Sequence, residues 1–128
     1  MRDNDLATTK PLIDTTQLAA ALEQFAADRN WSQFHSPKNL VMALTGEVGE
    51  LSEVFQWMSE SDSRHAATNP ETSQAVKDEI ADVLLYLVRL ADVLNVDLNE
   101  AVIQKLKTNA LKYPVANSLG VSTKYNKK

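Results

Sequence analysis

The chain has 128 residues, 44% of them hydrophobic and 23% charged, with a net charge of −4. That length suits one domain with a single sizeable core, and the ordinary composition excludes a fibrous or disordered protein. The acidic balance argues against a nucleic-acid partner, and the lack of cysteine excludes disulfides and thiolate metal sites.

No signal-peptide core stands in "MRDNDLATTKPLIDTT", and the longest apolar run, "VLLYLV", is too short to span a bilayer. The expected setting is therefore the cytoplasm, without a membrane partner. Residues 1–13 are polar, carry Pro11, and read as a flexible leader. Asp14, Thr15 and Thr16 are candidate caps for a first helix with an apolar stripe of Leu18, Leu22 and Phe25. Ser36 followed by Pro37 is a strong start signal for a second helix, Pro37 to about Met58.

The segment that follows Met58 is polar and without a period, so it reads as a loop closing on Asn69 and Pro70. That pair is a second cap-plus-proline start, opening a third helix that runs to about Leu94. Asp97 and Glu100 form a capping box for a fourth helix, which must stop before Pro114 because the residue preceding proline disfavours helix. Residues 14–114 thus form an all-α, four-helix domain, and 115–128 read as a mobile tail.

Helical rotation places the acidic side chains. On the second helix Leu44, Val48, Leu51, Phe55 and Met58 form the expected core stripe, with Glu47 about 60° and Glu50 about 120° to one side. Glu53 points to solvent. On the third helix the expected stripe is Ile80, Leu84, Leu87, Ala91 and Leu94, and Glu79, Asp82 and Tyr86 share a second arc. A lone E-x-x-E pair is usually a solvated face. Two such pairs, each beside a core stripe, are expected to meet at one helix seam, with Lys77 and Arg89 projecting elsewhere. Four converging carboxylates repel unless protonated or neutralised.

A hard divalent cation is the economical solution: magnesium prefers carboxylate oxygens and completes its shell with water and phosphate, and manganese can substitute. A ferritin-like di-iron site needs Glu-x-x-His motifs, and neither His35 nor His65 stands in one. Both histidines read as surface or packing residues. Gly46 and Gly49 leave room beside the first pair for a neighbouring helix or a phosphate, at about 1 kcal/mol each in helix propensity.

"GEVGEL" followed by "DEIADVLLYL" resembles the MazG-like all-α nucleoside triphosphate pyrophosphohydrolases. With "FAADRNWSQFHSPKNL" and "KYP" the chain is most similar to their dCTP pyrophosphatase branch. The resemblance implies a homodimer or homotetramer that hydrolyses dCTP, or a modified dCTP, to monophosphate and pyrophosphate for nucleotide-pool sanitation. It implies a magnesium site at Glu47, Glu50, Glu79 and Asp82, and substrate contacts at Trp31, Trp57, Tyr86, Lys105, Asn109, Lys112 and Tyr113.

From the residues alone, the tryptophans serve equally as base-stacking platforms or core anchors. Lys105, Asn109 and Lys112, spaced i, i+4, i+7, suit phosphate or a solvated face. Relatives of this branch can place a histidine in the first helix where this chain has Leu22, so the base stays open. The rivals are dUTP or another pyrimidine triphosphate, and a non-catalytic helical interaction module.

Overall fold

The computed structural model describes residues 10–124 and is all-α, with no strand among those residues. The elements are α1 (Thr16–Asp28), a 3₁₀ turn (Ser32–Phe34), α2 (Pro37–Phe55), α3 (Glu60–Ser63), α4 (Ser73–Val93), α5 (Leu98–Lys112) and α6 (Val115–Ser118). No described helix is long and apolar enough to cross a membrane. The described residues form two compact units, Thr15–Val96 and a second that joins residues 10–14 to residues 97–124.

In the first unit α2 packs along α4, and α1 packs on α4 as well. The caps explain where these helices begin. Ser36 accepts a hydrogen bond from the Asn39 amide at 3.2 Å with Pro37 in the first turn. Helix α1 has Thr15 at its N-cap position, without a side-chain cap bond. Two asparagines explain where helices end. Asn30 (φ 55°) and Asn95 (φ 56°) adopt the left-handed conformation that asparagine tolerates. At each the next amide reaches back to the last turn, Trp31 N to Ala26 O and Val96 N to Ala91 O, both at 2.8 Å. This is the Schellman arrangement, and it turns Trp31 back over α1.

Three sequence expectations are corrected in this unit. Helix α4 starts at Ser73 instead of Pro70, because Asn69 caps a turn: its side chain accepts from the Glu71 amide and its carbonyl accepts from Thr72 and Ser73. The segment before it is ordered by local polar bonds. Ser59 caps α3, and the Thr72 and Ser73 hydroxyls donate to the carbonyls of Ala66 and Ala67, both at 2.6 Å.

The third correction concerns which faces turn inward. On α2, Leu40 is buried and Glu47 half-buried, whereas Val48 is exposed, so the inward face is rotated toward Glu47. On α4 the expected stripe points outward: Ile80, Leu84, Leu87 and Leu94 are all exposed, and only Ala91 of that set is buried. The inward arc of α4 instead carries Val76, Glu79, Asp82, Tyr86 and Arg89. A helix apolar on nearly every side offers two competing inner faces, and the fold buries the one that bears the carboxylates.

In the second unit Asp97 caps α5 by accepting from the Glu100 amide at 3.0 Å. Asn99 then uses its side-chain oxygen to accept from the amides of Leu12 and Ile13, at 2.8 and 3.3 Å. The end of the expected leader is therefore tied to the α5 start, and residues 1–9 lie outside the described part. Helix α5 stops at Lys112, before Tyr113-Pro114 as expected, and the short α6 occupies the start of the expected tail.

Candidate functional site

Carboxylates three apart lie on one side of a helix, and packing α2 on α4 sets two such pairs against each other. Oxygens of Glu47, Glu50 and Glu79 come within 4.8 Å of one another. Asp82 stands outside this tight triple, yet its charge acts on both Glu47 and Glu79. The Oε2 atoms of Glu47 and Glu79 are buried and accept no hydrogen bond among the described residues. Leaving a buried acceptor unsatisfied costs about 1–3 kcal/mol, more for a charged group.

Loss of water first, then hydrogen bonds with Glu79 and Glu50, then the charges of Glu50 and Asp82, push the Glu47 carboxyl up to about 7. Burial also raises Glu79, helped by the charge of Glu50 and opposed by its hydrogen bond with Glu47. An all-carboxylate donor set with two orphaned oxygens fits a hard divalent cation, which would satisfy both oxygens and cancel the repulsion.

Helix α4 continues the site. A cavity of about 260 Å³ lies next to Asp82, with Leu22 and Phe25 of α1, Trp31, and Leu85 and Tyr86 of α4 among its walls. Trp31 meets Phe25 edge-on, with ring centroids 5.8 Å apart, and the Arg29 guanidinium covers the Phe25 ring. His35 and Arg89 complete the cavity. Arg89, expected to project elsewhere, is buried. It bonds to Glu23 and His35 and not to the acid cluster, because its helical position carries it past that cluster.

Of the residues singled out from sequence, Glu47, Glu50 and Glu79 meet, Asp82 and Tyr86 link them to the cavity, and Trp31 lines it. Trp57 is 89% exposed and is not a wall of that cavity. Lys105, Asn109 and Lys112 lie on α5, with Tyr113 at its C-terminal cap. The room beside Gly46 and Gly49 is open: a Cβ built at either meets nothing within 4 Å, so no neighbouring helix of the described residues requires them.

Sequence reasoning missed Glu23 and Arg89 and left His35 as a packing residue. One signal for Arg89 was present: it is a cation inside "LLYLVRLADV", a run too apolar to leave it in water, so it needed a partner.

Three comparisons place the chain among known proteins. Residues 43–127 match the MazG-like family. The chain is 51% identical over 102 residues to dCTP pyrophosphatase 1 of Rattus norvegicus, and 45% identical over the same length to that of Homo sapiens. Each alignment covers 80% of this chain and 60% of the relative, so the chain spans well under two thirds of those proteins' length. A pyrophosphatase from Archaeoglobus fulgidus has a similar structure, with a TM-score of 0.72 and 36% identity, covering 84% of this chain and 98% of the other. With the paired acid motifs meeting on packed helices and the family match spanning both α4 and α5, the chain belongs to the MazG-like family.

Proposed function

We propose that this protein hydrolyses a deoxynucleoside triphosphate, dCTP or a modified dCTP, to the monophosphate and pyrophosphate, clearing the cytoplasmic nucleotide pool. The observation that carries this is the pair of orphaned carboxylate oxygens, Glu47 Oε2 and Glu79 Oε2, beside an aromatic-walled cavity. The relatives' names support the same substrate.

Glu47, Glu50, Glu79 and Asp82 would hold magnesium, which supplies charge neutralisation to the triphosphate and a nucleophile at neutral pH. The chain's own residues do the rest. Glu47 and Glu79, whose carboxyls are raised by burial and by their neighbours' charges, would hold the cation in their deprotonated form. Trp31 and Tyr86 wall the base site, and Lys105, Asn109, Lys112 and Tyr113 are assigned to phosphate and ribose.

A panel of canonical and modified triphosphates with magnesium, read as pyrophosphate release, tests the activity. In oxygen-18 water the label is expected on the monophosphate, since attack falls on the phosphorus next to the sugar. Label in pyrophosphate, or release of orthophosphate, would overturn it.

The two tryptophans should separate. Trp31→Ala is expected to raise KM by roughly five- to a hundred-and-fiftyfold, matching about 1–3 kcal/mol of base stacking. Trp57→Ala should have little effect unless another subunit brings that ring to the base. Equal KM values in folded Trp31→Ala and the parent protein would return Trp31 to a packing role.

We also assign a second copy of the chain to the outward row of Ile80, Leu84, Leu87 and Leu94. An apolar row of this kind on a helix marks an association surface. Light scattering should give a dimer or tetramer, and Leu84→Glu should reduce it to monomer. A parent protein that is already monomeric at micromolar concentration would refute the assignment.

A further inference from the structure

The cavity beside the acid cluster contains a buried cation whose hydrogen bonds leave one edge unused. Arg89 is 5% exposed. Its Nε donates to His35 Nδ1 at 3.0 Å, and its Nη1 donates to Glu23 and faces Asp92 at 3.7 Å. Among the described residues Nη2 makes no hydrogen bond, and Arg89 is a wall of the cavity. A guanidinium is a rigid planar fork of donors. Held at Nε and Nη1, it has its orientation set and its Nη2 donors to offer.

His35 lines the cavity as well. Its Nδ1 accepts from Arg89, so the neutral ring carries its proton on Nε2. Burial and the Arg89 charge both lower the His35 pKa, which keeps the ring neutral. At the Arg89 end the cavity therefore offers donors, while Asp82, on another wall, offers an acceptor. Burying an arginine adds little net stability, and Glu23, its strongest partner, remains largely exposed. The arrangement gains its use from a ligand that brings an acceptor.

We propose that Arg89 selects the base, with Glu23 and His35 as positioning residues: Nη2 donates to the N3 acceptor of a cytosine ring lying between the cavity's aromatic walls. This rests on the triphosphate-hydrolysis function proposed above and adds the atom that is read. Cytosine N3 is an acceptor, whereas uracil and thymine present N3–H, a donor facing a donor. The cavity, about 260 Å³, has room for a nucleobase. Guanine also presents acceptors to arginine, so dGTP is the purine control in the test.

The test compares dCTP, dUTP and dGTP. The parent protein should favour dCTP over dUTP by at least about tenfold in kcat/KM, mainly through KM, because a site built to bond one group rejects its mismatch strongly. Arg89→Met should bring that ratio near one while turnover of dUTP persists. Should that variant not fold, Glu23→Gln, a change at an exposed side chain, should lower the ratio several-fold without loss of thermal stability. A ratio unchanged in folded variants, with both substrates weakened equally, would reduce Arg89 to a structural role. A preference for dGTP would also overturn the proposal.

Calorimetric titration with dCMP and dUMP separates this inference from the activity. If no triphosphate is cleaved, tighter dCMP binding that disappears in Glu23→Gln still supports base selection, and equal or absent binding overturns it.

Discussion

Glu79→Gln and Glu47→Gln should each lower triphosphate turnover by roughly a thousandfold while leaving the metal-free protein folded. The size follows from the several kcal/mol that a bound cation contributes to stabilising transition-state charge, with about 1.36 kcal/mol per factor of ten. The direction on stability follows from the geometry. Glu47, Glu50 and Glu79 crowd their carboxylates within 4.8 Å, and Glu47 Oε2 and Glu79 Oε2 are buried with no hydrogen-bond partner among the described residues. Replacing one carboxylate by an amide removes a repelling charge and supplies N–H donors to its neighbours. The melting temperature without metal should therefore stay the same or rise, as calorimetry can show. A fall of several degrees in both variants would instead mean that the cluster is a structural network. Glu53→Gln, on the outer face of α2, is the matched control and should change neither property.

The pH dependence of stability should differ with and without a divalent cation. Glu47 titrates near 7 in the folded chain against 4.5 for an ordinary glutamate, and Glu79 is shifted the same way. Between those values the folded state binds more protons than the unfolded state, so raising the pH disfavours folding. The stability these groups contribute is present in full below the ordinary glutamate range. It is lost as the pH climbs through about 7. Metal binding requires the deprotonated forms, so its affinity rises across the same window.

Magnesium at about a hundred times its Kd contributes about 2.7 kcal/mol through binding to the native state. The metal-free melting temperature should thus decline from mildly acidic to mildly alkaline pH, and excess magnesium should offset that decline most at the alkaline end. Thermal scans across the pH range with chelator or magnesium check this. A magnesium effect that is flat with pH would remove the carboxylates from the metal site.

Much of the helical framework was legible in local signals. Ser36 and Pro37, Asp97, and the barrier at Tyr113-Pro114 mark ends through bonds made within a turn or two, which is why the sequence expresses them directly. Asn69-Pro70 misled by three residues, because the same side chain can cap a turn as well as a helix. The acid pairs were legible for a related reason: a spacing of three fixes which side chains share a helix face whatever that face meets.

The amino-acid sequence by itself determined an all-α chain, the ends of its long helices apart from the start of α4, and the paired carboxylates of α2 and α4, since these depend on neighbours along the chain. Only the tertiary structure decided which side of α4 turns inward. Apolar burial has no direction, so a helix with Ile80, Leu84 and Leu87 on one side and Val76 and Tyr86 on another satisfies either choice. The fold buries the carboxylate side and leaves the aliphatic row outside. It alone also brings Arg89 to Glu23, 66 positions away, and to His35, 54 away, a meeting that no local pattern encodes.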